Sequence, residues 1–182
     1  MPAGEPKALP TLTDDELAFV ARVFGYARGG QAADLRDLLA QGLPANLRNE
    51  RGDSLLMLAS YHGHADTVRV LLDHGGDTGL MNDRGQTPLA GAAFKGSEEI
   101  VRLLLDAGAQ VDGCGPDGRT ALMTAAMFNR TAIVDLLLAH GAAIDARDAA
   151  GNTARDAAQA MGATDALEQL KRARARPDRT QG

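Results

Sequence analysis

Residues 85–109 read GQTPLAGAAFKGSEEIVRLLLDAGA, and this stretch decides the fold. Thr87 offers a side-chain oxygen to the backbone of a first helical turn, and the small Ala92 lets a neighbouring helix approach closely. Gly96 sits where the chain must reverse. Ile100, Val101, Leu104 and Leu105 then place apolar side chains at i, i+1, i+4 and i+5, which is one stripe of a second helix. Gly108 stops that helix in the left-handed conformation. The passage is a helix-turn-helix unit whose stripe needs a neighbour to cover it.

The neighbours are copies of itself. Gly52, Gly85, Gly118 and Gly151 are spaced by 33 residues, and the surrounding positions recur in register. Ser54, Thr87, Thr120 and Thr153 form the capping column, and Ala59, Ala92, Ala125 and Ala158 the small-residue column. Val68, Val101, Val134 and Leu167 are followed by Leu71, Leu104, Leu137 and Leu170, then by Gly75, Gly108 and Gly141. Gly63, Gly96 and Gly162 mark the reversal inside each unit. Asn129 takes that place once, and Asn is the residue that next best tolerates the left-handed region. The first full copy predicts a short helix over 55–62, and about ten residues between units remain for a protruding hairpin-like turn.

The ends depart from the pattern. Arg155 replaces the column of Leu56, Leu89 and Leu122, and Lys171 that of Leu72, Leu105 and Leu138. A last unit has no neighbour to cover those positions, so polar residues keep it soluble. At the other end Thr13 and Glu16 form a T-x-x-E capping box that opens a longer helix over 14–27, with a partner over 31–40. The expected organisation is an all-α solenoid of five units, at 14–48, 49–81, 82–114, 115–147 and 148–174. Residues 1–13 are expected to be a disordered segment and 175–182 a flexible basic tail.

These columns resemble the ankyrin repeat, whose signature runs G-x-T-P-L-H-x-A-A, then G, then V-x-x-L-L-x-x-G-A. The best copy is Gly85, Thr87, Pro88, Leu89, Ala92, Ala93, Gly96, Ile100, Val101, Leu104, Leu105, Gly108 and Ala109. The signature His is replaced throughout, by Met57, Ala90, Met123 and Asp156. In the family that His ties adjacent loops together, so the resemblance implies less firmly cross-linked hairpins here. It also implies an L-shaped stack whose concave side, made of first helices and hairpin tips, supplies the partner-binding surface, and it implies no reaction.

Composition agrees. The chain has 182 residues, 45% of them apolar, enough for one packed domain, and with no Trp, two Tyr and four Phe its core must be aliphatic. The single Cys114 has no partner for a disulfide or zinc cluster, which points to a reducing compartment, the cytoplasm. The N-terminus lacks an apolar stretch of signal-peptide length and no run approaches the roughly 20 residues of a membrane span. Arg outnumbers Lys 16 to 3, a bias that base composition explains without a site. Residues 171–182 carry +4 of charge, leaving residues 1–170 at −9 within a net −5. The body is acidic and the tail, with Lys171, Arg172, Arg174, Arg176 and Arg179, is basic.

Transferred residue by residue, the family geometry puts Tyr61 and His62, Phe94 and Lys95, Met127 and Phe128, and Ala160 and Met161 at the exposed ends of the first helices. Three of the chain's six aromatics lie there, and aromatics are enriched where interface energy concentrates. The column Tyr61, Phe94, Met127 and Phe128 is therefore the expected contact groove, against the alternative that the rings merely fill gaps between repeats. Hairpin tips add Arg51, Asp53, Arg84, Gln86 and Arg119, with Glu50, Asp83 and Asp117 among them. Their mixed signs suit a polar rim and not a nucleic-acid footprint.

Four histidines and one cysteine remain as candidates for chemistry. His62 and His64 are two apart, but the helix-turn-helix places one at the groove and the other at the start of the second helix, which argues against a metal site. His74 and His140 precede helix-stop glycines, where a His is favourable with the helix dipole. Cys114 lies between Gly113 and Gly115 with no basic neighbour to activate it. No catalytic residues, cofactor or metal are expected. The reading is a monomeric, non-catalytic protein-interaction module, an adaptor or modulator of a protein partner. The alternative is an accessory to an enzyme in a stress or redox pathway.

Overall fold

The computed structural model describes residues 13–175. Expectations for residues 1–12 and for Arg176 and Arg179 lie outside the described residues. Within them, ten helices form five antiparallel pairs: α1 (Asp14–Gly29) with α2 (Ala32–Ala40), α3 (Leu55–His62) with α4 (Ala65–Asp73), α5 (Pro88–Lys95) with α6 (Glu98–Asp106), α7 (Ala121–Met127) with α8 (Thr131–Ala139), and α9 (Ala154–Ala160) with α10 (Thr164–Ala175). The first helices stack on one another in chain order, as do the second helices, giving a two-layer solenoid without strands among the described residues.

Each predicted cap forms. Ser54, Thr87, Thr120 and Thr153 all accept from the backbone N–H three residues on, which satisfies one of the donors that a helix start leaves open. Pro88 occupies the first helical position of α5, where its missing N–H costs nothing. The Thr13–Glu16 capping box is present, and a second one forms between Thr153 and Asp156. At the other ends, Gly76, Ala109 and Ala142 donate back to Leu71, Leu104 and Leu137 at 2.8–3.0 Å, closing the second helices behind their left-handed glycines.

The repeat columns are the core. Val68, Val101 and Val134, with Leu71, Leu104, Leu137 and Leu170, have no exposed surface, and neither do Ala59, Ala92, Ala125 and Ala158. Burying each leucine contributes roughly 1.5–3 kcal/mol, while the alanines set how closely first helices approach. At the C-terminal end, Arg155 and Arg174 both reach Asp145, at 3.6 and 3.2 Å, and Lys171 pairs with Glu168. Polar groups thus cover the face of the last described repeat.

The hairpins carry their own bracing. Asn49, Asn82 and Asp148 stand in one column, and the Oδ1 of each accepts two backbone N–H groups of its own turn at 2.8–3.1 Å. Successive turns are tied by backbone: the Asp83 N–H donates to the Arg51 carbonyl at 3.0 Å, and the Ala149 N–H to that of Asp117 at 2.8 Å. Asn82 adds a side-chain bond to Asp53 at 2.8 Å, and Arg48 one to the Met81 carbonyl at 2.7 Å. These ties replace the cross-linking His of the signature at two junctions. At the junction between Arg84 and Pro116 the equivalent donor is missing, because proline has no N–H. Gly115 also stands there in place of the bracing Asn or Asp, so this hairpin lacks both ties that the other two junctions have.

Candidate functional site

A groove of about 1090 Å3 runs across the first-helix layer, lined by side chains of α1, α3, α5 and α7 and by the hairpin tips. Its floor is an aromatic ladder. Tyr61 and Phe94 stack with centroids 5.3 Å apart and planes inclined by 6°, and Phe128 meets Phe94 edge-on at 4.9 Å. Such pairs are each worth about 0.5–1.5 kcal/mol beyond the area they bury. The rings nevertheless stay open to solvent, at 43%, 38% and 37% exposure for Tyr61, Phe94 and Phe128. Gap-filling alone does not require that exposure.

At the third rung both expected residues, Met127 and Phe128, line the groove. Met127 is half-buried and the exposed ring is Phe128. The cause is local: α7 closes at Met127, Phe128 becomes its C-cap, and Asn129 follows with φ 54°. The last unit contributes no ring, although Met161 is 57% exposed. Lys95 departs from expectation. It does not line the groove but lies back over the Gly63 turn, where a Cβ on that glycine would come within 3.1 Å of the Lys95 Cε.

His62 meets the edge of Tyr61 at 5.4 Å and lines the groove. Partial burial, reinforced by His64, Lys95 and Arg28, holds its imidazole pKa below the ordinary His value, so the groove is uncharged at that point near neutral pH. His64 does a different job. Its Nε2–H donates to the Arg28 carbonyl at 2.8 Å, linking the second unit to the first. The Nδ1–H groups of His74 and His140 donate to the Val70 and Leu136 carbonyls, also at 2.8 Å, satisfying acceptors in the last turns of α4 and α8.

The hairpin rim contains Arg51, Asp53, Arg84, Gln86 and Arg119, joined by Glu50, Asp83, Asp117 and, from α1, Arg28. Its charges are not equivalent. Asp53 accepts from Asn49 and Asn82, Asp117 from the Arg119 N–H, and Asp83 faces Arg48 at 3.8 Å. Gln86 accepts from Asn82 at 3.0 Å. No hydrogen bond or ion pair among the described residues engages the guanidinium of Arg28, Arg51, Arg84 or Arg119. The charges look mixed in sequence, and the structure separates the committed acids from bases without a hydrogen bond or ion pair, of which Arg119 still lies close enough to Asp148 to lower its pKa.

Away from the groove, Cys114 is half-buried in the hairpin that lacks bracing. Among the described residues no three His, Cys, Asp or Glu side chains converge in the manner of a metal site, and no helix is long and apolar enough to cross a membrane.

The repeated helix pairs are matched by family models. One describing ankyrin repeats in three copies matches residues 24–113, and another describing ankyrin repeats in many copies matches residues 89–138. The chain belongs to the ankyrin repeat family. It is similar to an ankyrin repeat protein of Pseudomonas aeruginosa, 60% identical over 58 residues, a stretch that covers 32% of this chain and 34% of the relative. The matched stretch therefore spans about a third of that relative's length. Ankyrin repeats generally mediate protein–protein interactions, and proteins built from them are typically not enzymes.

Proposed function

We propose that this ankyrin array is a non-catalytic adaptor or modulator, a cytoplasmic monomer that holds one protein partner along its groove. The observation that carries the reading is the exposed ladder of Tyr61, Phe94 and Phe128: three rings in contact one after the next, on the layer formed by first helices, left uncovered by the fold that aligns them. A contiguous exposed apolar patch rimmed by polar groups is the usual mark of an interaction site. Met127 forms part of the floor, His62 extends the ladder, and Arg51, Asp53, Arg84, Gln86 and Arg119 form the rim. Lys95 stands beside the groove. Interface energy concentrates on a few aromatic and Arg side chains, and truncating one often costs about 2 kcal/mol or more.

The accessory role in a redox pathway would rest on Cys114, and nothing about its half-buried thiol favours it. The interaction reading is tested by the Tyr61→Ala, Phe94→Ala double variant used as bait. Loss of a captured partner with little change in melting temperature supports it, and unchanged capture contradicts it.

A further inference from the structure

The four groove arginines say what kind of segment belongs there. On the rest of the described surface most arginines are employed: Arg48, Arg69, Arg102, Arg155 and Arg174 are in ion pairs, and Arg147 donates to the Gly151 carbonyl. Arg28, Arg51, Arg84 and Arg119 are exposed around one groove with their donors unused, while three of the four acids between them are spent on hairpin structure. A guanidinium is built for forked hydrogen bonding to a carboxylate. The rim is balanced in formal charge and cationic in available donors.

From this geometry we infer that the groove takes an extended acidic peptide segment, with apolar side chains on the Tyr61–Phe94–Phe128 ladder and carboxylates on the row of Arg51, Arg84 and Arg119. The inference rests on the groove being the partner surface and adds the partner's chemistry. Arg51 and Arg84 are equivalent positions one repeat apart, and packed helices are separated by about 8–10 Å. An extended chain advances about 3.3 Å per residue, so carboxylates about three residues apart match Arg51 and Arg84, while Arg119 stands two positions past Asp117, which continues their column.

Nucleic acid fits less well. Tyr61 and Phe94 occupy each other's faces, and Phe128 makes a T-shaped contact with Phe94, so the ladder offers a base few free faces to stack on. The chain's net charge of −5 also repels a polyanion at long range. A short acidic segment held locally by four guanidiniums avoids most of that repulsion.

The test uses the full chain and three fluorescent probes at low salt: a peptide carrying Leu or Phe between regularly spaced Glu residues, the same peptide with Lys for Glu, and a single-stranded oligonucleotide. The Glu peptide is expected to bind best and to weaken as salt rises. Arg51→Glu with Arg84→Glu should cost it about tenfold or more and should improve binding of the Lys peptide. Arg51→Gln with Arg84→Gln, which removes charge without adding repulsion, should fall between, and the melting temperature of each variant checks its folding. No binding of the Glu peptide, equal or tighter binding of the Lys peptide or the oligonucleotide, or indifference to charge reversal overturns the inference. A lysate partner lost with Tyr61→Ala and Phe94→Ala but kept with the arginine reversals would preserve the groove as the interaction site while overturning its acidic occupant.

Discussion

Gly115 is packed so closely against Gly85 that a Cβ on Gly115 would fall 2.4 Å from the Gly85 Cα. The contact is backbone on backbone, between the hairpins of the third and fourth units, and neither side can move aside as a long side chain would. It takes the place of the bond that Pro116 cannot donate. Gly115→Ala should therefore lower stability by roughly 1–3 kcal/mol, as overpacking does, read as a fall in melting temperature. The same hairpin should exchange its amide hydrogens faster than those braced by Asn82 and Asp148. Equal protection across the hairpins would contradict the assignment of a weak junction.

Thr67 is completely buried and its hydroxyl has no partner. The equivalent positions are Ile100 and Ile133, both in the core. Thr67→Val keeps the branched shape and removes the stranded polar group, so it should stabilise the protein by about 1–2 kcal/mol. Chemical denaturation measures this directly, and a loss of stability would show that the hydroxyl has a role.

Asn129 does more than tolerate its left-handed turn. Its Oδ1 accepts from the Ala166 N–H at 2.9 Å and its Nδ2 donates to Asp165 at 3.1 Å, so it caps the start of α10 in the next unit. Asn129→Ala loses both bonds and strains the backbone, and should cost about 2 kcal/mol. Asn129→Gly loses the bonds but eases φ, and should cost less. A glycine variant more damaging than the alanine one would contradict this ordering in denaturation experiments.

The sequence was legible wherever one repeat faces another, because burial and turn geometry leave few residue choices. The caps at Ser54, Thr87, Thr120 and Thr153, the turn at Asn129 and the helix stops all follow from residue type and period. The second capping box is hidden in the sequence because Asp156 stands where the signature has His. The groove was legible as a column but not in detail. Where α7 closes decides how far Met127 and Phe128 are each exposed, and helix ends are set by local packing as much as by residue type. Likewise, Arg51 and Asp53 are neighbouring opposite charges in sequence, and nothing in that spacing reveals that Asp53 is bonded to Asn82 across a repeat.

His62 supplies a pH dependence. Its folded-state pKa lies below the unfolded value near 6.5, so the native state resists protonating it. Its contribution is fully present above the unfolded value and is lost as pH falls through the folded one. NMR should place the His62 titration below that of an ordinary His. His62→Gln should flatten the change in stability between about pH 7 and pH 5. An unshifted His62 titration would remove the effect.

The central claim is that partners meet the first-helix groove and not the outer layer of second helices. A photoreactive benzoylphenylalanine in place of Phe94, compared with one in place of Arg102 on exposed α6, tests it in cells. Crosslinks to a distinct partner from position 94 and none to that partner from position 102 are the predicted result. Crosslinking from position 102 with none from position 94 would contradict the account.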